Sequence, residues 1–431
     1  MESYLIIFAG FIIRLGLAYA LPIWHDEAYS IWASTTPLSN IIHGITDPVH
    51  TPGYYLFLKL WSLFSLHLFW LRLSSLIFYL FNALLLYKLA QNISRRLPIF
   101  VLFLYAFSGY FLIFDWQVRM YTLVLTAILL SLILYQKAKI HYTYLITFTL
   151  INTVGLYIDY GFFWYFFPLT LLLCIKTLLH FRQYRTLFLS TLISAVLFIG
   201  CFPDAFTYYF RGVESIQWMA QYMSPDFVIP YFFGTHILYP ALPFLILLFV
   251  YGIYILWTQY RRNPMLQLLT FTAIFSLAAS LLYSLSGQIV FHVRSLQIVA
   301  LYILIISALA LHWLYTKHKY IIFAGLLLVV ITNCYFVTNI IIHQPRRVLV
   351  SPFPWKNIIN AIPVSQVNYV AYRQTHELPT PLLLWGLQYT LNGNESLFSK
   401  KIPMMDITNT NDSVDSCLLI SQSLMDIYAC K

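Results

Sequence analysis

About eleven apolar segments, most of them near 20 residues long, dominate this sequence and decide what it can fold into. They are residues 4–22, 67–90, 97–113, 121–136, 142–158, 161–179, 186–202, 236–257, 265–286, 294–314 and 320–341. A helix that crosses a membrane needs roughly 20 mostly apolar residues. Charged residues make up only 9% of the 431 residues, whereas a soluble domain carries roughly 25%. The sequence therefore predicts an all-α polytopic membrane protein.

The loops between these segments divide by charge. With the N-terminus inside, the cytoplasmic loops hold Arg95-Arg96, Lys137 with Lys139, Lys176 with Arg182 and Arg185, Arg261-Arg262, and Lys317 with Lys319. This distribution follows the positive-inside rule. The net charge of +10 therefore follows from membrane topology, and nucleic-acid binding is not needed to explain it.

The acids before residue 343 lie on the opposite side. Apart from Glu2, they fall in or at the mouth of outer loops: Asp26, Glu27, Asp47, Asp115, Asp159, Asp204, Glu214 and Asp226. Acids contribute little to membrane orientation, so their segregation needs another cause. It predicts an outward-facing cavity lined with carboxylates.

Three further segments bear on organisation. Residues 23–66 and 203–235 are aromatic and mixed in polarity, which predicts interfacial helices broken by loops. The first segment lacks a basic start and contains Arg14, so we interpret it as an uncleaved helix. Residues 343–431 are polar, which predicts a small soluble extracytoplasmic domain of mixed structure after a transmembrane domain of residues 1–342. Within that tail, Cys417 and Cys430 could pair in an oxidising compartment.

Carboxylates in the first outer loop are the leading candidates for chemistry. In "WHDEAYSIW", Asp26 and Glu27 sit among aromatic residues. A carboxylate at membrane depth is costly and usually functional. One such acid can act as a base or hold a metal while its neighbour orients a partner. The alternative is that Asp26 and Glu27 are simply two exposed acids in a loop. Asp47 and His50 follow on the same segment. Both residue types can bind a metal ion, but their spacing does not match a known metal-site motif. His50 could equally be an interfacial hydrogen-bonding residue.

Three arginines form a second set. Arg119 follows Asp115 by four residues, so the two could pair on one helical turn. Alternatively, Arg119 could bind a phosphate at the outer surface. Arg294, close to His292, lies at another outer helix end. Arg14 lies inside the first apolar segment and needs an anionic partner, because it does not deprotonate.

The order of these motifs resembles a known superfamily. Asp26-Glu27 is followed by His50-Thr51-Pro52-Gly53-Tyr54-Tyr55, then by Arg119-Met120-Tyr121-Thr122-Leu123, and later by Val293-Arg294-Ser295. Over roughly residues 10–310 this resembles the GT-C polytopic glycosyltransferases, in particular the dolichyl-phosphate-mannose protein mannosyltransferases and the lipid A aminoarabinose transferases. Departures from the family pattern are Thr51, Gly53, Ser295 and Asp159, and they leave the donor and acceptor open.

The resemblance implies transfer of a sugar from a polyprenyl-phosphate donor to a lipid, glycan or protein acceptor at the extracytoplasmic face. Asp26 would be the base, with Glu27 in support. The donor phosphate would meet Arg119, Arg294 and Arg14. The remaining cavity residues would be His50, Asp47, Tyr54, Tyr121, Asp115 and Asp159. A divalent metal ion is a candidate cofactor, with Asp26, Glu27 and His50 as its ligands. We expect a multi-pass protein of the bacterial inner (plasma) membrane, in contact with membrane lipid and not with nucleic acid.

Two other classes stay open. A transporter or lipid flippase also uses buried arginine and aspartate, but it usually places them near the membrane midplane between internal repeats. No repeat is evident in this sequence, and its acids lie toward one face. A non-catalytic scaffold would use the aromatic outer loops as partner surfaces.

Overall fold

The computed structural model describes residues 2–21, 23, 25–44, 50–138, 141–207, 228–229, 232–233, 241–285 and 294–343, together with four strands between 369 and 430. The first helices are α1 (Glu2–Ala20), α2 (His25–Thr35), α3 (Leu38–Ile42), α4 (Gly53–Ser62), α5 (Leu68–Ile93), α6 (Leu97–Phe107), α7 (Gly109–Phe114) and α8 (Tyr121–Lys137). They are followed by α9 (Tyr142–Ile158), α10 (Phe163–Leu179), α11 (Phe181–Cys201), α12 (Ala241–Ile255), α13 (Pro264–Leu285), α14 (Gln297–Lys317) and α15 (Lys319–His343). A 3₁₀ turn (Tyr160–Phe162) precedes α10, and a π-helical turn (Leu256–Tyr260) follows α12.

Seven helical stretches among the described residues are long and apolar enough to cross a membrane. They are Glu2–Ala20, Leu68–Ile93, Tyr160–Leu179, Phe181–Cys201, Ala241–Tyr260, Pro264–Leu285 and Gln297–Lys317. Shorter apolar helices cover Leu97–Phe107, Tyr121–Lys137, Tyr142–Ile158 and Ile322–Tyr335. Each predicted apolar segment overlaps one of these helices. The prediction of an all-α polytopic bundle is therefore confirmed.

One predicted segment, residues 97–113, forms two helices instead of one. Ser108 has an extended backbone, with φ −68° and ψ 128°, and Gly109 begins α7 directly after it. This break ends the continuous helical hydrogen bonding of α6 at Phe107. The loop that carries Asp115 and Arg119 then follows the short helix α7, so the break helps to place that loop.

Helix α14 lies at the centre of the bundle. It packs against α6, α12 and α13, and nearly all its residues from Gln297 to Leu311 are buried. In contrast, α11 exposes Leu189, Ile193 and Val196. Apolar side chains on an outer helix are expected where the solvent is lipid. Because α14 begins at Gln297, it fixes the position of Arg294 three residues earlier.

The first predicted interfacial segment, residues 23–66, contains the three short helices α2, α3 and α4. Helix α4 packs against α2 and against α9. The contact with α9 is very close at Gly53, where an added Cβ would lie 2.3 Å from the Tyr157 carbonyl oxygen. Only glycine allows this approach of two backbones. The second predicted interfacial segment, 203–235, lies mostly outside the described residues.

The tail contains four strands: β1 (Tyr369–Gln374), β2 (Met404–Asp406), β3 (Cys417–Gln422) and β4 (Met425–Cys430). They form one sheet in the order β2-β1-β4-β3. β1 and β2 are parallel, whereas β4 runs antiparallel to both β1 and β3. The last helix ends at His343, and the division into domains at residues 342 and 343 stays a prediction.

Candidate functional site

Asp26 lies at the centre of a charged cluster near the start of α2. Its Oδ2 accepts a hydrogen bond from Arg294 Nη1 at 2.9 Å. The Asp26 side chain is 19% exposed, and that of Arg294 is 7% exposed. A carboxylate that is ion-paired and still partly open can be reached by a substrate. The structure therefore brings together two residues of the predicted site that are far apart in sequence.

Glu27 has a different environment, although it is the next residue. Its two carboxylate oxygens accept from Arg72 Nε at 2.9 Å and from Arg72 Nη2 at 2.6 Å. Glu27 Oε1 also accepts from the Val118 backbone N–H at 2.9 Å. Arg72 Nη1 in turn donates to the carbonyl oxygens of Ala18 and Leu21. Both side chains of the pair are fully buried, so Glu27 ties α2 to α5, to the end of α1 and to the Arg119 loop.

Arg119 contacts the backbone of Asp26 and the side chains of Ser30 and His50. Its Nη1 donates to Ser30 Oγ at 3.0 Å and to the Asp26 carbonyl oxygen at 3.4 Å. Its Nη2 lies 2.9 Å from His50 Nε2. Arginine always donates, so His50 Nε2 is the acceptor. Arg294 therefore contacts the Asp26 carboxylate and Arg119 contacts the Asp26 backbone carbonyl, so both cations lie next to the same residue.

His50 joins this cluster to Asp159. His50 Nδ1 lies 2.6 Å from Asp159 Oδ2, and Asp159 Oδ1 accepts from the Gly161 N–H at 2.7 Å. Since Nε2 accepts from Arg119, the neutral ring carries its proton on Nδ1 and donates it to Asp159. Asp159 is almost fully buried. Both of its oxygens thus have defined donors.

Arg14 finds its anionic partner in Asp115. Arg14 Nε and Nη2 donate to Asp115 Oδ2 at 3.1 and 3.0 Å. The same guanidinium donates to the carbonyl oxygens of Ala106 and Tyr105 and lies over the Tyr79 ring. The Arg14 side chain is fully buried. Asp115 thus meets an arginine 101 positions away, while Arg119, four residues on, turns toward Ser30 and His50.

Tyr54 and Tyr121 lie near the Arg119 guanidinium. Tyr54 and Thr51 are buried, and neither hydroxyl has a hydrogen-bond partner among the described residues. Burial raises the pKa of the Tyr54 hydroxyl, and the positive charge of Arg119 acts in the opposite direction. The Arg119 guanidinium lies 5.8 Å from the centre of the Tyr121 ring. Asp47, also predicted for this cavity, lies outside the described residues.

The predicted metal ligands do not form a metal site in the described part of the chain, where no group of three or more His, Cys, Asp or Glu converges. Asp26 binds Arg294, and Glu27 binds Arg72. His50 Nε2 faces the Arg119 guanidinium. These three donor groups all face cationic side chains, an arrangement that does not fit a divalent cation. The metal site stays a prediction, and no step below uses it.

Arg72, Ser30 and Thr51 belong to this region, but sequence reasoning did not select them. Arg72 lies inside an apolar segment, which is the signal that selected Arg14. Ser30 follows Asp26 by four residues, so the two share one face of α2. In the sequence, Thr51 is notable only because it departs from the pattern of the GT-C motif that contains His50.

Comparisons with known proteins found similarity to solved structures and not to curated sequences or family profiles. No protein-family profile matches the chain, and no curated protein matches it at a significant level. The chain is similar to the crystal structure of the Archaeoglobus fulgidus oligosaccharyltransferase tethered with an acceptor peptide, with a TM-score of 0.44 and 15% sequence identity. The match covers 79% of this chain and 55% of that structure.

Proposed function

We propose that this protein is a membrane glycosyltransferase that takes a sugar from a polyprenyl-phosphate donor and passes it to an acceptor hydroxyl. The observation that carries the proposal is the position of Asp26. This carboxylate is partly open and ion-paired with Arg294, and Arg119 Nη1 donates to the backbone carbonyl oxygen of the same residue. The three residues come from α2, from the loop before α8 and from the turn before α14. A base beside two phosphate-binding cations is what this transfer requires.

The reaction assigns one role to each charge. The acceptor oxygen attacks the anomeric carbon and gives its proton to Asp26. The bond from that carbon to the phosphate oxygen breaks, and its electron pair leaves with the polyprenyl phosphate. Arg119 and Arg294 stabilise the negative charge on the departing phosphate. Arginine suits this role because its planar guanidinium can bind two phosphate oxygens at once.

The buried residues position this machinery. Glu27 holds the first turn of α2 in place through Arg72 and Val118, and this fixes the position of Asp26. Arg14 is committed to Asp115, which leaves the donor phosphate to Arg119 and Arg294. The membrane-embedded bundle suits a donor whose long tail stays in lipid. A position at the extracytoplasmic face of a bacterial inner membrane, and a lipid, glycan or protein acceptor, belong to the same proposal.

A transfer assay with purified protein tests the proposal. Several polyprenyl-phosphate sugars are offered with detergent-extracted envelope acceptors, and Arg119→Lys is compared with wild type. We expect transfer by wild type and at least a 10-fold loss in Arg119→Lys, because lysine lacks the planar fork. Arg95→Lys, at an exposed arginine, is the matched control. Lipid scrambling by reconstituted protein without any sugar transfer would contradict the proposal and favour the flippase alternative.

A further inference from the structure

We infer that Asp159 is a positioning residue that acts through His50 to orient the Arg119 guanidinium toward the donor phosphate. This inference rests on the proposed role of Arg119. Three successive hydrogen bonds support it. They join Gly161 N–H to Asp159 Oδ1, His50 Nδ1 to Asp159 Oδ2, and Arg119 Nη2 to His50 Nε2. Together they form a relay from the end of α9 to Arg119.

The relay begins at a rigid point. Asp159 has an extended backbone directly after α9, and it caps the 3₁₀ turn that starts at Tyr160. Its Oδ1 is committed to Gly161 N–H at 2.7 Å, which fixes the carboxylate plane. The second oxygen is thereby aimed at His50. Because Asp159 is almost fully buried, water competes little for that oxygen.

The relay then selects one tautomer of His50. The carboxylate accepts, so it places the imidazole proton on Nδ1 and leaves a lone pair on Nε2. That lone pair accepts from Arg119 Nη2. Ser30 Oγ and the Asp26 carbonyl oxygen accept from Nη1. The guanidinium is therefore held from both terminal nitrogens, which fixes the direction of its plane.

The position of His50 depends in turn on α4. His50 precedes α4 by three residues, and Gly53 brings the start of that helix against the Tyr157 carbonyl. Asp159 follows Tyr157 by two residues. The close contact at Gly53 and the pairing of His50 with Asp159 are thus two parts of one junction between α4 and α9.

Asp159→Asn is the informative substitution, because it keeps the size and removes one acceptor. If asparagine Oδ1 keeps the Gly161 N–H, its NH₂ group faces His50 Nδ1. The imidazole proton then moves to Nε2, where it opposes Arg119 Nη2, and two donors face each other. If the amide turns over, its NH₂ group opposes the Gly161 N–H instead. Either arrangement disturbs the relay without changing side-chain volume.

The experiment combines a binding measurement with a spectroscopic one. Geranylgeranyl phosphate in detergent micelles is titrated into wild type, Asp159→Asn, His50→Ala and the double variant. Hydrogen bonds to charged groups predict at least about a 10-fold weaker affinity for Asp159→Asn. In the His50→Ala background, the same substitution should change affinity less than about twofold, because alanine has no group that could connect Asp159 to Arg119. In ¹⁵N-histidine NMR spectra, the signal assigned by its loss in His50→Ala should show the Nδ1–H tautomer in wild type.

The outcomes separate the relay from the proposed function. Equal affinity of wild type and Asp159→Asn would overturn the relay alone. An equal loss in both backgrounds would do the same, because it would mean that Asp159 acts structurally and not through His50. An Nε2–H tautomer in wild type would also overturn it. Wild type that does not bind geranylgeranyl phosphate at all would overturn the proposed function and the inference together.

Discussion

Arg294 donates a hydrogen bond to Asp26 over 2.9 Å, although 268 positions separate the two residues. The pair joins the first turn of α2 to the turn that precedes the central helix α14. It forms only when α14 is packed in the bundle, so the site is assembled by the whole membrane fold. Asp26 is also the more accessible of the two adjacent acids, since Glu27 is fully buried.

Asp26→Asn should abolish most sugar transfer without unfolding the protein. The amide can still accept a hydrogen bond from Arg294 but cannot take the acceptor proton, and a positioned base typically contributes roughly 10²–10⁴-fold in rate. The measurement is turnover of purified protein at matched thermal stability. Glu2→Gln, at an exposed acid near the start of α1, is the control and should retain wild-type turnover. A fully active Asp26→Asn variant would remove Asp26 from the mechanism.

Arg72→Met should strongly destabilise the protein, because it leaves the Glu27 carboxylate buried without its cation. Breaking a buried pair from one side typically costs about 3–5 kcal/mol. Adding Glu27→Gln should recover much of this loss, since the charge disappears while the glutamine oxygen still accepts from the Val118 N–H. Thermal unfolding in detergent measures both effects.

The control for that pair is Arg95→Met, at an exposed arginine. It should shift the unfolding temperature little, because surface substitutions usually change stability by less than about 0.5 kcal/mol. If Arg72→Met is as stable as Arg95→Met, the ion pair with Glu27 does not hold the first turn of α2.

Gly53→Ala should lower both stability and donor affinity. An added methyl group would lie 2.3 Å from the Tyr157 carbonyl oxygen, so α4 must move away from α9. His50 would move with it and leave Asp159. Gly200→Ala is the matched control, because nothing lies within 4 Å of its Cβ position. In that helix, alanine should add roughly 0.5–1 kcal/mol of stability. Unfolding and geranylgeranyl phosphate binding are measured on both variants, and equal behaviour would show that the α4–α9 contact tolerates a side chain.

The helices could be predicted from sequence for a physical reason. A chain in lipid must satisfy its backbone hydrogen bonds within each segment, so long apolar runs become helices. The site residues were also visible, since ionisable residues are rare in such a chain. Asp26, His50, Arg119 and Arg294 do meet in one cluster.

The pairing of the charges could not be predicted. Spacing suggested a local pair of Asp115 with Arg119, but Asp115 binds Arg14 from the first helix. Several acids and arginines are compatible with each other by charge alone, and only helix packing selects among them. For the same reason, the sequence does not reveal the pairing of Arg72 with Glu27, which lies 45 positions away.

Cys417 and Cys430 should form a disulfide bond if the tail faces an oxidising compartment. The backbone register of β3 and β4 places the two residues directly opposite each other. Opposed residues on antiparallel strands have Cα atoms about 4.5–5.5 Å apart, within the range of about 4.4–6.8 Å that a disulfide requires. Peptide mass spectrometry of protein alkylated without reduction should therefore find the two cysteines linked. Cys174, a free cysteine in α10, is the internal control and should be recovered unlinked. Alkylation of both Cys417 and Cys430 in unreduced protein would contradict the predicted bond.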